Sequence, residues 1–199
     1  MKLPEDELLA LLVAVSFASG LNVYATVATL GLLAHAHLVA LPPQLQLLSS
    51  WWIIAAGGTL FAVEFFADKV PGFDLVWNAL HTFIRVPVSA LVAYQAAASL
   101  SPGEQLAAAL GGGVIAFIAH GGKTAVRAAV TPSPEPFSNI SLSLGEDALA
   151  ISLTWLATTH PLLAGGMAAT LILIIILLTR WVWRALKSMF RTAGQSIHA

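Results

Sequence analysis

Within the stretch DLVWNALHTFIRVP, Asp74, Asn78, His81 and Arg85 follow one another at steps of four, three and four residues. On a helix that spacing sets an acid, an amide, an imidazole and a guanidinium on one face. Together they offer a proton acceptor, an amide that both donates and accepts, a ring that titrates near neutrality and a permanent cation. That is equipment for holding or passing an ion or a small polar solute. Two further stripes share the period: Ser19, Asn22 and Thr26 are spaced by three and four, and so are His120, Lys123 and Arg127. Glu64 and Asp68 lie one turn apart and Glu146 adjoins Asp147, so carboxylates are available to meet the bases. With Gly121 beside His120, these residues form the candidate binding set.

The elements that must position them belong in lipid. Of 199 residues, 58% are hydrophobic and only 10% charged, with a mean hydropathy of +0.84, whereas soluble domains carry about 25% charged residues. The apolar blocks reach the ~20 residues needed to cross a hydrocarbon core, and nothing alternates with the period of a barrel strand. The expected fold is all-α, a polytopic membrane helix bundle of about six spans forming a single transmembrane domain over residues 1–199. The first span, 7–36, is interrupted at Ser19-Gly20, and the second covers 48–67. The third, 74–99, is kinked at Pro87. The fourth, 104–130, contains Gly111 to Gly113 and a second interruption at His120-Gly121-Gly122. The fifth covers 144–159, and His160-Pro161 turns the chain into a sixth that ends near Leu178. The connection 131–139 holds too many prolines to be helical.

Cysteine is absent, which excludes disulfides and thiolate chemistry. MKLPEDELLALLVAVSFASG has the apolar core of a signal peptide, but its acidic flank (Glu5, Asp6, Glu7) and the apolar run continuing to Ala36 point to a retained span. If both chain ends are cytoplasmic, Lys2, Lys69, Arg180, Arg184, Lys187 and Arg191 all fall inside, and the connections 37–49, 99–104 and around 160 carry no Lys or Arg. Trp51 and Trp52 then mark the outer interface, and Trp181 and Trp183 the inner one. Residues 180–199 read as a basic cytoplasmic tail touching anionic lipid. Nothing suggests nucleic acid as a partner. Membrane lipids and the solute are the expected partners, and assembly into a homo-oligomer is left open.

Shifted by 101 residues, Ala18-Ser19-Gly20-Leu21-Asn22 falls on Ala119-His120-Gly121-Gly122-Lys123. The match predicts two repeats, 8–99 and 105–178, of three spans each. An odd number of spans turns the second copy upside down, the 3+3 inverted plan of many transporters, here with broken first and fourth helices. Arg85 would lie ~16 Å above Asp74, near the bilayer centre. A charge there costs at least ~2.5–3.5 kcal/mol. It should therefore meet an acid among Glu64, Asp68, Glu146 and Asp147.

Other chemistries read less well. GGKT at 121–124 lacks the glycine spacing of a phosphate loop and sits mid-span. A metal site from His81, His120, Glu64 and Asp68 has suitable ligand types but needs three spans to converge, so both metal and cofactor stay unknown. An intramembrane enzyme on lipid phosphates would use Arg85, Lys123 and Arg127 as an anion clamp. No catalytic set is identified.

The run EFFADKVPGFDLVWNALHTFIRVPVSALVA, the block AHGGKTAVRAAVTPSPEPFSN, and Glu146-Asp147 followed by His160-Pro161 resemble a bacterial membrane family catalogued as domain of unknown function 4126. The resemblance covers about residues 10–165 and implies a compact multi-pass protein of the bacterial inner membrane, without implying an activity. The expected function is a transporter or channel for a small polar or ionic solute, bound at the bilayer midplane between the repeats. Lys123 and His120 beside an unwound backbone would favour anions there, and His120 would make activity depend on pH. A structural or lipid-interacting scaffold is the alternative.

Overall fold

A computed structural model describes residues 4–70, 73–130 and 136–196. The side chain of Asp74 and most of the proline-rich connection, 131–135, lie outside the described residues. The described chain forms α1 (Glu5–Leu21), α2 (Val23–His35), a short 3-10 helix (Pro43–Ser49), α3 (Trp51–Ala67), α4 (Phe73–Ala96), α5 (Pro102–Val130), α6 (Pro136–Thr159) and α7 (Pro161–Ser196). No strand occurs among these residues.

Helix ends follow local chemistry. Glu5, Asp6 and Glu7 occupy the first turn of α1, where carboxylates meet the positive end of the helix dipole. Ser101 and Glu104 form a reciprocal cap at the start of α5: the Ser101 backbone N–H donates to Glu104 Oε2 at 2.9 Å, and the Glu104 N–H reaches Ser101 Oγ at 3.5 Å. Pro102 and Pro161 stand at first helical positions, where a missing N–H costs nothing.

The first apolar block is interrupted at Asn22, three residues beyond the predicted Ser19, and the interruption reverses the chain. Asn22 is extended, at φ −151° and ψ 102°. Leu30 of α2 packs in one cluster with Ala14, Val15 and Phe17 of α1. Leu45 of the 3-10 helix reaches Leu8 and Leu12. Thus α1 and α2 form a helical hairpin that returns to the end of the bundle where it began, instead of one broken crossing.

Four helices are long and apolar enough to cross a membrane, and the 3-10 helix with α3, bent by 64°, brings the number to five. The protein is an integral, multi-pass membrane protein with a hairpin and up to five spans in place of six. Glu5 and Glu104 line one cavity, Ala10 packs against Gly165 and Gly122 against Ile175, so α1, α5 and α7 all start at one end and run the same way. Glu5, Asp6, Glu7 and Glu104 mark that acidic end. Lys69 after α3 and Arg180, Arg184 and Lys187 on α7 mark the opposite, basic end. The described chain thus starts at the acidic end and finishes at the basic one.

Helix α5 is continuous from Pro102 to Val130, so the predicted break at His120-Gly121-Gly122 does not exist. An unwound turn in hydrocarbon strands backbone groups that lipid cannot satisfy, and glycine in such helices serves close packing instead. A Cβ on Gly20 would come within 2.5 Å of the Ala116 carbonyl oxygen, and one on Gly112 within 2.9 Å of Ser16 Oγ. These contacts lay α1 parallel to α5. The two segments aligned by the repeat are side-by-side neighbours running the same way, which an axis in the membrane plane cannot produce. The inverted 3+3 alignment fails on this geometry. Pro87 sits inside an uninterrupted α4.

The outer surface is apolar, with Trp52 at 87% and Phe83 at 81% exposure, and it contacts lipid. By contrast, the two largest fully buried side chains among the described residues are Arg85 and Arg127.

Candidate functional site

The polar faces of α3, α4, α5 and α6 converge on the tip of the hairpin. Their centre is Arg85, fully buried. Its Nη2 donates to Glu64 Oε1, and its Nη1 donates to Asn78 Oδ1 at 3.0 Å and His120 Nδ1 at 2.7 Å. Arg85 therefore has the acidic partner its depth demanded. Because the guanidinium can only donate, His120 Nδ1 accepts, and its Nε2–H donates to the Asn78 carbonyl at 2.9 Å. Both ring nitrogens are used and the imidazole is neutral. A proton could enter only by displacing Arg85, so the expected pH switch at His120 has no geometric basis.

Nearer the basic end, Lys123 Nζ donates to Asp68 Oδ2 at 2.8 Å and to the Leu21 carbonyl, the last of α1, at 3.1 Å. It also lies 3.4 Å from both Glu64 Oε1 and Glu146 Oε2. A cation at the C-terminus of α1 is favoured by the helix dipole. Arg127 joins Asp68 Oδ2 at 3.1 Å, the Asp68 carbonyl at 2.9 Å, and Glu146 Oε2. Asn78 Nδ2 reaches Asp68 Oδ1 at 3.4 Å.

Asn22 binds the hairpin tip to this network. Its Oδ1 accepts from the Ala25 N–H at 2.9 Å, capping α2. Its Nδ2 donates to Asp147 Oδ1, also at 2.9 Å. Thr26 Oγ1 donates to the Asn22 carbonyl at 2.9 Å. One amide thus ends one helix, starts another and holds a carboxylate of α6.

Several candidates fall elsewhere. Ser19, though buried, donates to the Ser16 carbonyl of its own helix at 3.1 Å. Gly121 is exposed, and a Cβ there would meet nothing within 4 Å. His81 stacks on Trp77 at 4.1 Å between ring centres and meets Tyr24 edge-on at 5.8 Å, apart from the ion pairs. The spacing argument missed Ser143, fully buried one turn before Asp147, and the Leu21 carbonyl. The first was legible as a polar residue in register with Asp147; the second is backbone and carries no sequence signal.

No group of three metal-competent side chains comes together among the described residues, and His120 and His81 are engaged or apart, so the metal set read from the sequence does not assemble. The three cations all contact carboxylates, leaving no open anion clamp for a lipid phosphate. With α5 unbroken, the unwound backbone invoked for anion preference is also missing. Among the described residues, Glu64, Asp68, Glu146 and Asp147 face Arg85, Lys123 and Arg127, with Lys69 one residue beyond Asp68. Glu64 Oε2, Arg85 Nε, Asp147 Oδ2 and Ser143 Oγ are buried without a hydrogen-bond partner.

A cavity of about 530 Å³ lies towards the acidic end, lined by Leu8, Leu12, Leu30, Leu45 and Ala93 with Thr158 at its edge. It does not reach the charged residues.

The family model for the domain of unknown function DUF4126 matches residues 9–181. The chain belongs to this family. The match runs from the hairpin into α7 and takes in every residue of the charged network. Neither a curated protein nor a solved structure matches the chain.

Proposed function

We propose that this member of the family is a membrane transporter or channel for a small polar or cationic solute, working through the charged network at the tip of the α1–α2 hairpin. The observation that carries the reading is the helix interruption at Asn22. Interrupted helices at membrane depth place backbone and side-chain polar groups where solutes and coupling ions bind. Buried ionisable groups in a membrane mark pathways more often than they mark glue. The cations of the network are held by carboxylates, which favours a cation or neutral polar molecule over an anion. Only Arg85, twelve residues into α4 and thus ~18 Å along it, approaches the midplane; the remaining charges lie closer to the basic end. The protein acts as one membrane-embedded unit with the basic end facing the cytoplasm, since Lys and Arg mark cytoplasmic flanks.

A second reading is favoured by the pairing itself. Every cation of the network meets a carboxylate, as in a structural lock. Flux in proteoliposomes separates the two. Transport predicts that Lys123→Gln lowers saturable flux of a small cation or polar solute while the protein stays monodisperse. The lock predicts loss of monodispersity in Lys123→Gln and, in the unmodified protein, no flux and no thermal stabilisation by any solute across a screen of cations, anions and lipid phosphates.

A further inference from the structure

Of the four carboxylates of the network, three have cationic partners within ion-pair distance: Glu64 with Arg85, Asp68 with Lys123 and Arg127, and Glu146 with Arg127. Asp147 has none among the described residues. It is 4% exposed; Oδ1 accepts from Asn22 Nδ2, and Oδ2 has no hydrogen-bond partner. One turn earlier on the same helix, Ser143 Oγ is also buried without a partner. An ionised carboxylate with one bare oxygen in a membrane interior is among the costliest arrangements available to a side chain.

We infer that Asp147 is a proton-binding site, occupied at rest, in which Oδ2 carries the proton and Asn22 and Ser143 are its polar neighbours. A single proton on Oδ2 converts the bare acceptor into an O–H donor and removes the charge from the buried carboxyl. A metal cation fits less well, because hard cations take six or more oxygens. Here Asn22 Oδ1 is already committed to Ala25.

The charged surroundings are defined on each side. Helix α3 brings Glu64 and Asp68, with Lys69 just beyond; α5 brings Lys123 and Arg127; α6 itself carries Glu146; and α7 has no ionisable side chain before Arg180. The hairpin contributes Asn22, and Tyr24 on its α2 arm faces His81. Release of the proton leaves an ionised Asp147 facing a network in which Arg85, Lys123 and Arg127 already hold carboxylates, with Lys69 just beyond. Lys123 is then drawn between Asp68 and Asp147, and through its bond to the Leu21 carbonyl the pull reaches the hairpin tip. The use of this proton for coupling rests on the transport reading above; the protonation itself does not.

Infrared spectroscopy of the protein in lipid tests the inference. At neutral pH the unmodified protein should show the C=O stretch of a protonated carboxylic acid. The band should move when the aspartate side-chain carboxyl carbon is isotopically heavy, shift in Asn22→Ala and vanish in Asp147→Asn. Absence of a protonated aspartate band in the labelled unmodified protein overturns the proposal, even if Asp147→Asn proves unstable. So does a band that survives in Asp147→Asn, or one removed by sodium at constant pH. Thermal unfolding gives a second reading: Asp147→Asn should keep the midpoint of the parent while Asp68→Asn lowers it, and equal losses would mean that Asp147 is ionised and paired. In proteoliposomes, an imposed proton gradient should accelerate flux in the parent and not in Asp147→Asn. Flux that ignores the gradient while the band is present removes the coupling role and leaves transport standing. A band without any flux removes the transport reading and leaves the proton site.

Discussion

Two regions of the bundle are held together by different physics. Along its length, α1 meets α5 and α7 through Gly20, Gly112 and Gly165, where backbones approach so closely that no Cβ fits without displacement. Towards the basic end, Arg85 of α4 and Lys123 and Arg127 of α5 hold carboxylates on α3 and α6. Lipid gives no hydrophobic drive for helices to associate, so close van der Waals packing and interhelical polar contacts are the two remaining sources of cohesion. The packed half has one arrangement that fits. The charged half has several partners of similar distance around Lys123, and such a network can exchange partners without separating helices. Rigidity sits along α1 and switchable contacts at the basic end, with Asn22 at the joint.

Breaking the charged half should give the largest effect. Arg85→Ala leaves the buried Glu64 with Lys123, at 3.4 Å, as its only ion-pair partner among the described residues, and removing one member of a buried pair costs about 3–5 kcal/mol. We expect a large drop in the thermal midpoint in detergent, mostly recovered in the double variant Arg85→Met with Glu64→Leu. A single variant as stable as the parent would show that the pair contributes nothing to cohesion.

Breaking the packed half should come next. Gly20→Leu drives a side chain into the Ala116 backbone, and overpacking of this kind costs about 1–3 kcal/mol. Because the obstacle is backbone, α1 and α5 must separate, and crosslinking between cysteines introduced on the two helices should weaken. Unchanged crosslinking would place the closeness elsewhere.

The joint should respond more mildly. Asn22→Ala removes the cap of α2 and the side-chain hydrogen bond to Asp147, and loss of a cap costs about 0.5–2 kcal/mol. Hydrogen exchange should rise in the first turn of α2 more than in the middle of α5. Equal exchange in both places would mean that the hairpin tip is not held by this amide.

The smallest effect sharpens the boundary of the site. Gly121→Ala points into open space, and substitutions away from packed features stay within about 0.5 kcal/mol. Both stability and flux should match the parent; a loss of flux at constant stability would return Gly121 to the site.

Much of this was legible in residue order. The 3.6-residue period alone put Asn78 and Arg85 on one face and Lys123 and Arg127 on another, and the cost of charge in lipid required Arg85 to find an acid. The same period placed His81 with them, yet its ring turned to Trp77 and Tyr24, because a stripe defines a face and not the direction of each side chain. The glycines misled for a physical reason. A Gly-Gly pair breaks helices in water by exposing backbone, whereas in lipid the hydrogen bonds are kept and the missing Cβ admits a neighbouring helix.

The sequence by itself determined that the chain lives in a membrane, that its helices carry polar stripes at helical spacing, and that those stripes must face one another. These follow from local periodicity and from the cost of burying charge in hydrocarbon, neither of which needs a partner to be known. The tertiary structure alone decided that Asn22 reverses the first helix, that α1 and α5 run parallel, and that Asp147 bonds Asn22 and not a cation. Those outcomes depend on which of several equally charged residues come within hydrogen-bond distance, and that is set by helix packing over a hundred residues of separation, where sequence spacing carries no information.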